Sequence, residues 1–132
     1  MGFVEIEHTA DCEIRVWAAD LTSLFVEAAR GMNHAAGAKI GNGPRLERSV
    51  FIEASDTEGL LVSFLTELIF AQESDNLGFD VFRIRVSDRK AAGRLNGAGL
   101  EALARPIKAV TYHNLLLKRS AGRYETRIVF DV

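Results

Sequence analysis

The apolar positions change period along the chain, and each change marks an element. "FVEIEH" alternates weakly, while "CEIRVWA" alternates well, with Cys12, Ile14, Val16 and Ala18 on one face and Glu13, Arg15 and Trp17 on the other. Period two is the signature of a strand, so two short strands or one bent strand open the chain. From Leu21 the spacing becomes helical: Leu21, Leu24, Phe25, Ala28 and Met32 form one stripe, which Asp20 or Thr22 can cap. Gly37, Gly41, Gly43 and Pro44 read as a loop. "RSVFIEA" then places Val50, Ile52 and Ala54 on one strand face, and Ser55 and Glu58 have the spacing of a capping box. The following helix carries Leu60, Leu61, Phe64, Leu65 and Leu68, with Val62, Ile69 and Phe70 widening the stripe, and "SDNLG" ends it. "FDVFRIRV" turns Phe82, Ile84 and Val86 inward and Arg83 and Arg85 outward; "NLLLKR" and "YETRIVFDV" bracket a Ser120-Ala121-Gly122 turn as a hairpin.

Two strand-helix-strand units thus stand in tandem, followed by further strands. Two substantial helices against six or more strands predict an α+β fold, with the helices packed on a mixed, largely antiparallel sheet. At 132 residues, residues 1–132 form one domain. Hydrophobic residues make up 48% and charged residues 26%, a globular balance and not that of a disordered chain.

The longest apolar run, within "LLVSFLTELIF", is too short to span a bilayer and is broken by Ser63, Thr66 and Glu67. "MGFVEIEH" shows neither a signal-peptide pattern nor a myristoylation site, so the expectation is a cytoplasmic protein with no membrane association. A single cysteine, Cys12, excludes an internal disulfide and a multi-thiolate zinc site. Net charge is −2, but residues 1–66 carry five Lys/Arg against ten Asp/Glu while residues 67–132 carry eleven against eight. A polarised surface, or two simply solvated sets of charges, would each give this pattern.

Three polar clusters interrupt the apolar patterning: "HTAD" at 8–11, "IKAVTYH" at 107–113 and the terminal "DV". Singly, each has a structural explanation: Asp11 as a turn residue, Thr111 and His113 as polar positions of a half-exposed strand, and Asp131 as a solvated strand end. An enzymatic reading would gather His8, His113, Lys108, Tyr112 and Asp11 as an acid/base site, or His8, His113, Asp11 and Cys12 around zinc, making a small metal-dependent enzyme. No nucleophile elbow, phosphate loop, dinucleotide fingerprint or His-Glu-x-x-His helix supports it, and the glycine-rich "GRLNGAGLE" lacks the Lys-Ser/Thr ending of a phosphate loop. Arg83, Arg85, Arg89, Lys90, Arg94, Lys118, Arg119, Arg123 and Arg127 are phosphate-contact candidates for an RNA-binding module. Nearby rings are sparse, being Phe79, Phe82, Tyr112 and Tyr124, so direct RNA binding is expected to be weak or absent.

Taken together and in order, "EHTAD", "LTSLFVEAARGM", "EGLLVSFLTELIF", "IKAVTYH" and the closing "DV" resemble the archease family over nearly the whole chain. The resemblance implies a single archease-like domain of strand-helix-strand-strand units and a protein that is not an enzyme. It implies a non-catalytic activator of the GTP-dependent RNA-splicing ligase that joins 3′-phosphate and 5′-hydroxyl ends in tRNA splicing, promoting its guanylylation and turnover. A tRNA methyltransferase, or another tRNA-processing enzyme, is the alternative partner. A bound divalent cation, Ca2+, is implied at Asp11, Asp131 and Val132, with His8, Thr9, Lys108, Thr111, Tyr112 and His113 as supporting residues.

Calcium takes six to eight hard oxygen ligands, and Asp11, Asp131 and the α-carboxylate of Val132 would supply up to three negative groups. Without a cation or a basic side chain such as Lys108 among them, they would repel one another. The family usually continues "HTAD" with Ile-Gly and often has Asp at position 7; here Cys12, Glu13 and Glu7 stand there. Cys12 keeps a small apolar side chain facing the core, whereas Glu13 either adds an oxygen ligand or points to water.

Overall fold

A computed structural model describes residues 1–6, 12–112 and 115–132. The opening strands are β1 (Gly2–Ile6) and β2 (Cys12–Ala18), followed by helix α1 (Leu21–Ala35) and the short β3 (Ala38–Ile40). Then come β4 (Leu46–Glu53), helix α2 (Thr57–Asp75), β5 (Leu77–Val86) and β6 (Lys90–Leu103). The chain closes with β7 (Ala109–Val110), β8 (Lys118–Ser120) and β9 (Arg123–Asp131). The α+β expectation is met, and the described strands form two sheets. In the first, β1, β2, β9 and β7 lie side by side, with β8 also on β9; in the second, β6 is shared by β3, β4 and β5. Every described pairing is antiparallel.

The helical stripes meet the sheets in one core. Phe25 of α1 and Phe64 of α2 approach at 5.6 Å between ring centroids, and Ile14, Val16, Ile128 and Phe130 reach the same core from the first sheet. Burying a side chain of this size contributes about 1.5–3 kcal/mol. A polar tie crosses the layer: Gln72, 5% exposed, donates to Asn33 at 2.9 Å, and Asn33 donates to the Phe79 carbonyl at 2.9 Å. The buried Gln72 amide and the half-buried Asn33 amide are thereby hydrogen-bonded, which ties α1, α2 and β5 together.

Helix ends follow local chemistry. Asp20 caps α1 by accepting from Ser23 N at 2.7 Å. For α2 the expected Ser55/Glu58 box does not form. Asp56 is the cap, accepting from Gly59 N at 2.7 Å, and Glu58 instead accepts from Leu117 N at 3.3 Å. An aspartate one position later places its carboxylate on the free amides of the first turn, so the helix starts at Thr57. Asn76 ends α2 in the left-handed conformation. Phe70, expected to widen the buried stripe, is 62% exposed, because it shares the solvent face with Glu67 and Glu73 three residues to either side.

Two strands run through glycine-bearing stretches, the first of them where a loop was expected. β3 forms between Gly37 and Gly41, and "GRLNGAGLE" lies inside the fourteen-residue β6. Glycine is required where β5 crosses β6: a Cβ on Gly97 would run into the carbonyl of Gly78. The hairpin joining β8 and β9 turns on Ala121 and Gly122, both left-handed (φ 49° and 72°), which suits a two-residue turn. Gly97→Ala is expected to lower unfolding stability by more than about 2 kcal/mol in urea titration, because backbone and not a flexible side chain must move. A loss below about 0.5 kcal/mol would contradict this close approach.

Candidate functional site

Three segments remote in sequence come together at one end of the first sheet. Cys12 pairs with Phe130 and Glu13 with Val129, so β2 begins where β9 ends. On the other edge of β9, Ala109 pairs with Asp131 and Val110 with Phe130. Two backbone bonds extend this contact: Lys108 N donates to Asp131 O at 2.7 Å and Thr111 N to Val129 O at 3.0 Å. The "IKAVTYH" segment is thus fastened to the last strand through its backbone. This explains how Val110 and Ile107 are buried while Lys108 and Tyr112 remain exposed. Asp131 is exposed, and Val132 packs partly buried against the core.

Of the expected site residues, Asp131, Val132, Lys108, Thr111 and Tyr112 are described. His8, Thr9, Asp11 and His113 lie outside the described residues, as does Glu7. Among the described residues no group of three or more His, Cys, Asp or Glu can hold a metal ion. Lys108 makes no ion pair with a described carboxylate; its side chain lines a cleft of about 420 Å³ together with Glu73, Asn76, Leu103 and Pro106. Glu13 does not point to water: it is 7% exposed, with the Arg127 guanidinium 3.6 Å from its Oε2.

Arg105 was not singled out from the sequence. It donates to Ala35 O at 3.1 Å, to Glu5 Oε2 at 2.9 Å and to Cys12 Sγ at 3.3 Å, tying the end of α1 to β1 and to the start of β2. These partners lie 70 to 100 positions away, so no local pattern reveals the role. Burial pushes the Cys12 thiol pKa up, and the Arg105 charge opposes this. The thiol stays protonated near neutrality, as befits a core residue and not a nucleophile.

Beyond Glu13, the outer face of β2 and β9 carries a second ion pair. Arg15 donates twice to Glu125, at 3.1 and 3.0 Å, and Arg123 adds a third bond at 2.8 Å. Both guanidinium groups also lie over the Trp17 ring, 5.1 and 5.5 Å from its centroid. The Arg15 hydrogen bonds hold the Glu125 carboxyl at a pKa of about 2.

Comparison with known proteins identifies the family. The model of the Archease protein family (MTH1598/TM1083) matches residues 3–132. The protein archease of Methanopyrus kandleri is 31% identical over 140 residues, covering 100% of both chains. That of Pyrococcus furiosus is 30% identical over 139 residues, covering 96% of this chain and 95% of its own. The chain belongs to the archease family. Solved structures show the same fold. The Thermotoga maritima archease, described as a possible chaperone, superposes with a TM-score of 0.70 at 22% identity, covering 96% of this chain and 94% of that one. Protein 1598 of Methanobacterium thermoautotrophicum gives 0.69 at 24% identity, covering 99% of both. The archease relatives are named as proteins and not by a reaction, which fits a non-enzyme. Among the described residues no helix is long and apolar enough to cross a membrane.

The Glu125 pKa makes this archease sheet acid-sensitive. A carboxyl lowered from 4.5 to about 2 by folding stabilises the native state fully above pH 4.5, and loses that contribution as pH falls toward 2. Glu125→Gln is expected to flatten the stability profile in that window and leave its shape above pH 5 unchanged. Urea titrations across the range check this; an unaltered acid limb would contradict the assignment.

Proposed function

We propose that this chain is a non-catalytic activator of the GTP-dependent RNA-splicing ligase, acting through a divalent-cation site at the end of the first sheet. The supporting observation is the convergence of the β2 start, the 107–112 segment and the β9 end in one register. Asp11 precedes Cys12 in the sequence, and Cys12 is paired beside Asp131. The proposed donors are the carboxylates of Asp11 and Asp131 together with oxygen from Val132. All are hard ligands, which fits Ca2+ better than zinc. The one cysteine of the region is buried, and burial raises its pKa, which speaks against a thiolate ligand.

The bound cation would fix the "HTAD" segment and the strand end relative to each other and present a charged tip to the ligase. His8, Thr9, Thr111, Tyr112 and His113 support that tip and carry out no bond-making step. A second reading, in which the chain modulates a tRNA methyltransferase or another tRNA-processing enzyme, draws on the description of the Thermotoga maritima relative as a possible chaperone. Single-turnover guanylylation of the ligase from the same genome, with and without this protein and calcium, separates the two: stimulation supports the ligase and its absence supports the other partner.

Losing the partner of a metal ligand already costs about 10- to 100-fold in affinity, so losing a ligand itself costs no less. Asp131→Ala and Asp11→Ala are therefore each expected to weaken calcium binding at least about tenfold in calorimetry and to remove most of the ligase stimulation. Wild-type stimulation by either variant would contradict the proposal.

A further inference from the structure

The second sheet carries a face that the site above does not use. In an antiparallel pair, directly opposed residues point to the same side, so the registers of β4, β6 and β5 read out as rows. Ser49, Arg94 and Arg83 form one row, and Phe51, Ala92 and Arg85 the next. Glu53 and Lys90 are paired beyond them. The alternate rows, such as Ile52, Ala91 and Val86, turn toward the core.

The outward rows therefore present four exposed cations, Arg83, Arg85, Lys90 and Arg94, around an aromatic ring. Phe51 is 62% exposed on a strand whose inward neighbours, Val50 and Ile52, are partly buried against the core. Ala92, with only a methyl side chain, leaves the middle strand low between the ring and Arg85, so a flat group can lie across it. Of the four cations, Arg94 has Glu47 at 3.6 Å, and Lys90 sits over Phe51 at 5.2 Å from the ring centroid. Arg83 and Arg85 form no ion pair among the described residues. Two carboxylates, Glu47 and Glu53, leave the face with a net positive charge.

A ring that already attracts a cation, set among guanidinium groups in rows about 7 Å apart, suits a ligand that alternates flat bases with phosphates. We propose that the outer face of the β4–β6–β5 sheet binds single-stranded RNA weakly, with Phe51 stacking a base and Arg83, Arg85 and Arg94 contacting phosphates. The choice of RNA over DNA rests on the RNA-ligase reading; the charge and stacking chemistry does not. The ring was overlooked in the sequence because it lies some thirty positions before the arginines, and only the β4–β6 pairing brings them together.

The test uses the isolated full chain without ligase or calcium, so its failure and that of the ligase reading are separate events. Fluorescence anisotropy with a labelled oligouridylate is expected to show binding that falls roughly twenty- to fifty-fold between about 50 and 200 mM salt, as three or four single-strand phosphate contacts require. Phe51→Ala is expected to weaken it at least about fivefold, while Phe51→Tyr, which keeps a ring, retains it. The double variant Arg83→Glu/Arg85→Glu is expected to lose binding and flatten the salt dependence. These side chains are exposed, and an unchanged thermal melt verifies the fold. No binding at low salt, or binding indifferent to both Phe51→Ala and the arginine pair, would overturn the proposal. In a separate assay with the ligase, an arginine variant that binds RNA normally but no longer stimulates would likewise overturn it and make the face a protein-docking surface.

Discussion

The antiparallel pairing of β2 with β9 is the contact on which the rest of the architecture depends. It joins residues more than a hundred positions apart, with Cys12 opposite Phe130 and Ala18 opposite Tyr124. One face of the pair supplies Ile14, Val16, Ile128 and Phe130 to the core, and the other carries the Glu13–Arg127 and Arg15–Glu125 ion pairs. Because side chains alternate, a slip of one residue would exchange the two faces, burying arginines and exposing isoleucines. The same register decides which parts of the chain lie beside Asp131, so the fold and the proposed cation site share one cause.

Long-range ion pairs cross between the acidic first half and the basic second half in both directions, so they do not remove the imbalance of the sequence. Glu5 meets Arg105, Glu13 meets Arg127 and Glu47 meets Arg94, each an acid of the first half against a base of the second. Arg15, Arg45 and Arg48 make the reverse exchange with Glu125, Asp80 and Asp75. Mostly exposed pairs of this kind add little stability one by one. Arg83 and Arg85 of the β4–β6–β5 face take no part in such pairs among the described residues.

What was legible in the sequence was whatever repeats locally. The stripe from Leu21 to Met32, the alternation through "CEIRVWA" and the paired arginines of "FRIRV" each impose a period that tertiary packing reinforced. β3 and β6 were hidden, because glycines that permit close strand crossing look like the glycines of a loop until Gly78 and Gly97 are seen face to face. Phe70 misled for the opposite reason: its apolarity suggested burial where helical geometry gave it the solvent face. At the site, the three motifs could be matched from sequence, but the meeting of "IKAVTYH" with the end of the last strand depends on β7 and β9. Arg105 and Phe51 took their roles only from partners far along the chain.

The central claim is that the two chain regions flanking the β2–β9 pair hold one hard cation between them. A crystal structure of the protein grown with calcium, with the ion located by its anomalous scattering, tests it most directly. The account requires a single strong peak about 2.3–2.6 Å from carboxylate oxygens of both Asp11 and Asp131. A calcium ion bound elsewhere, or the two carboxylates directed to opposite sides of the sheet, would contradict it.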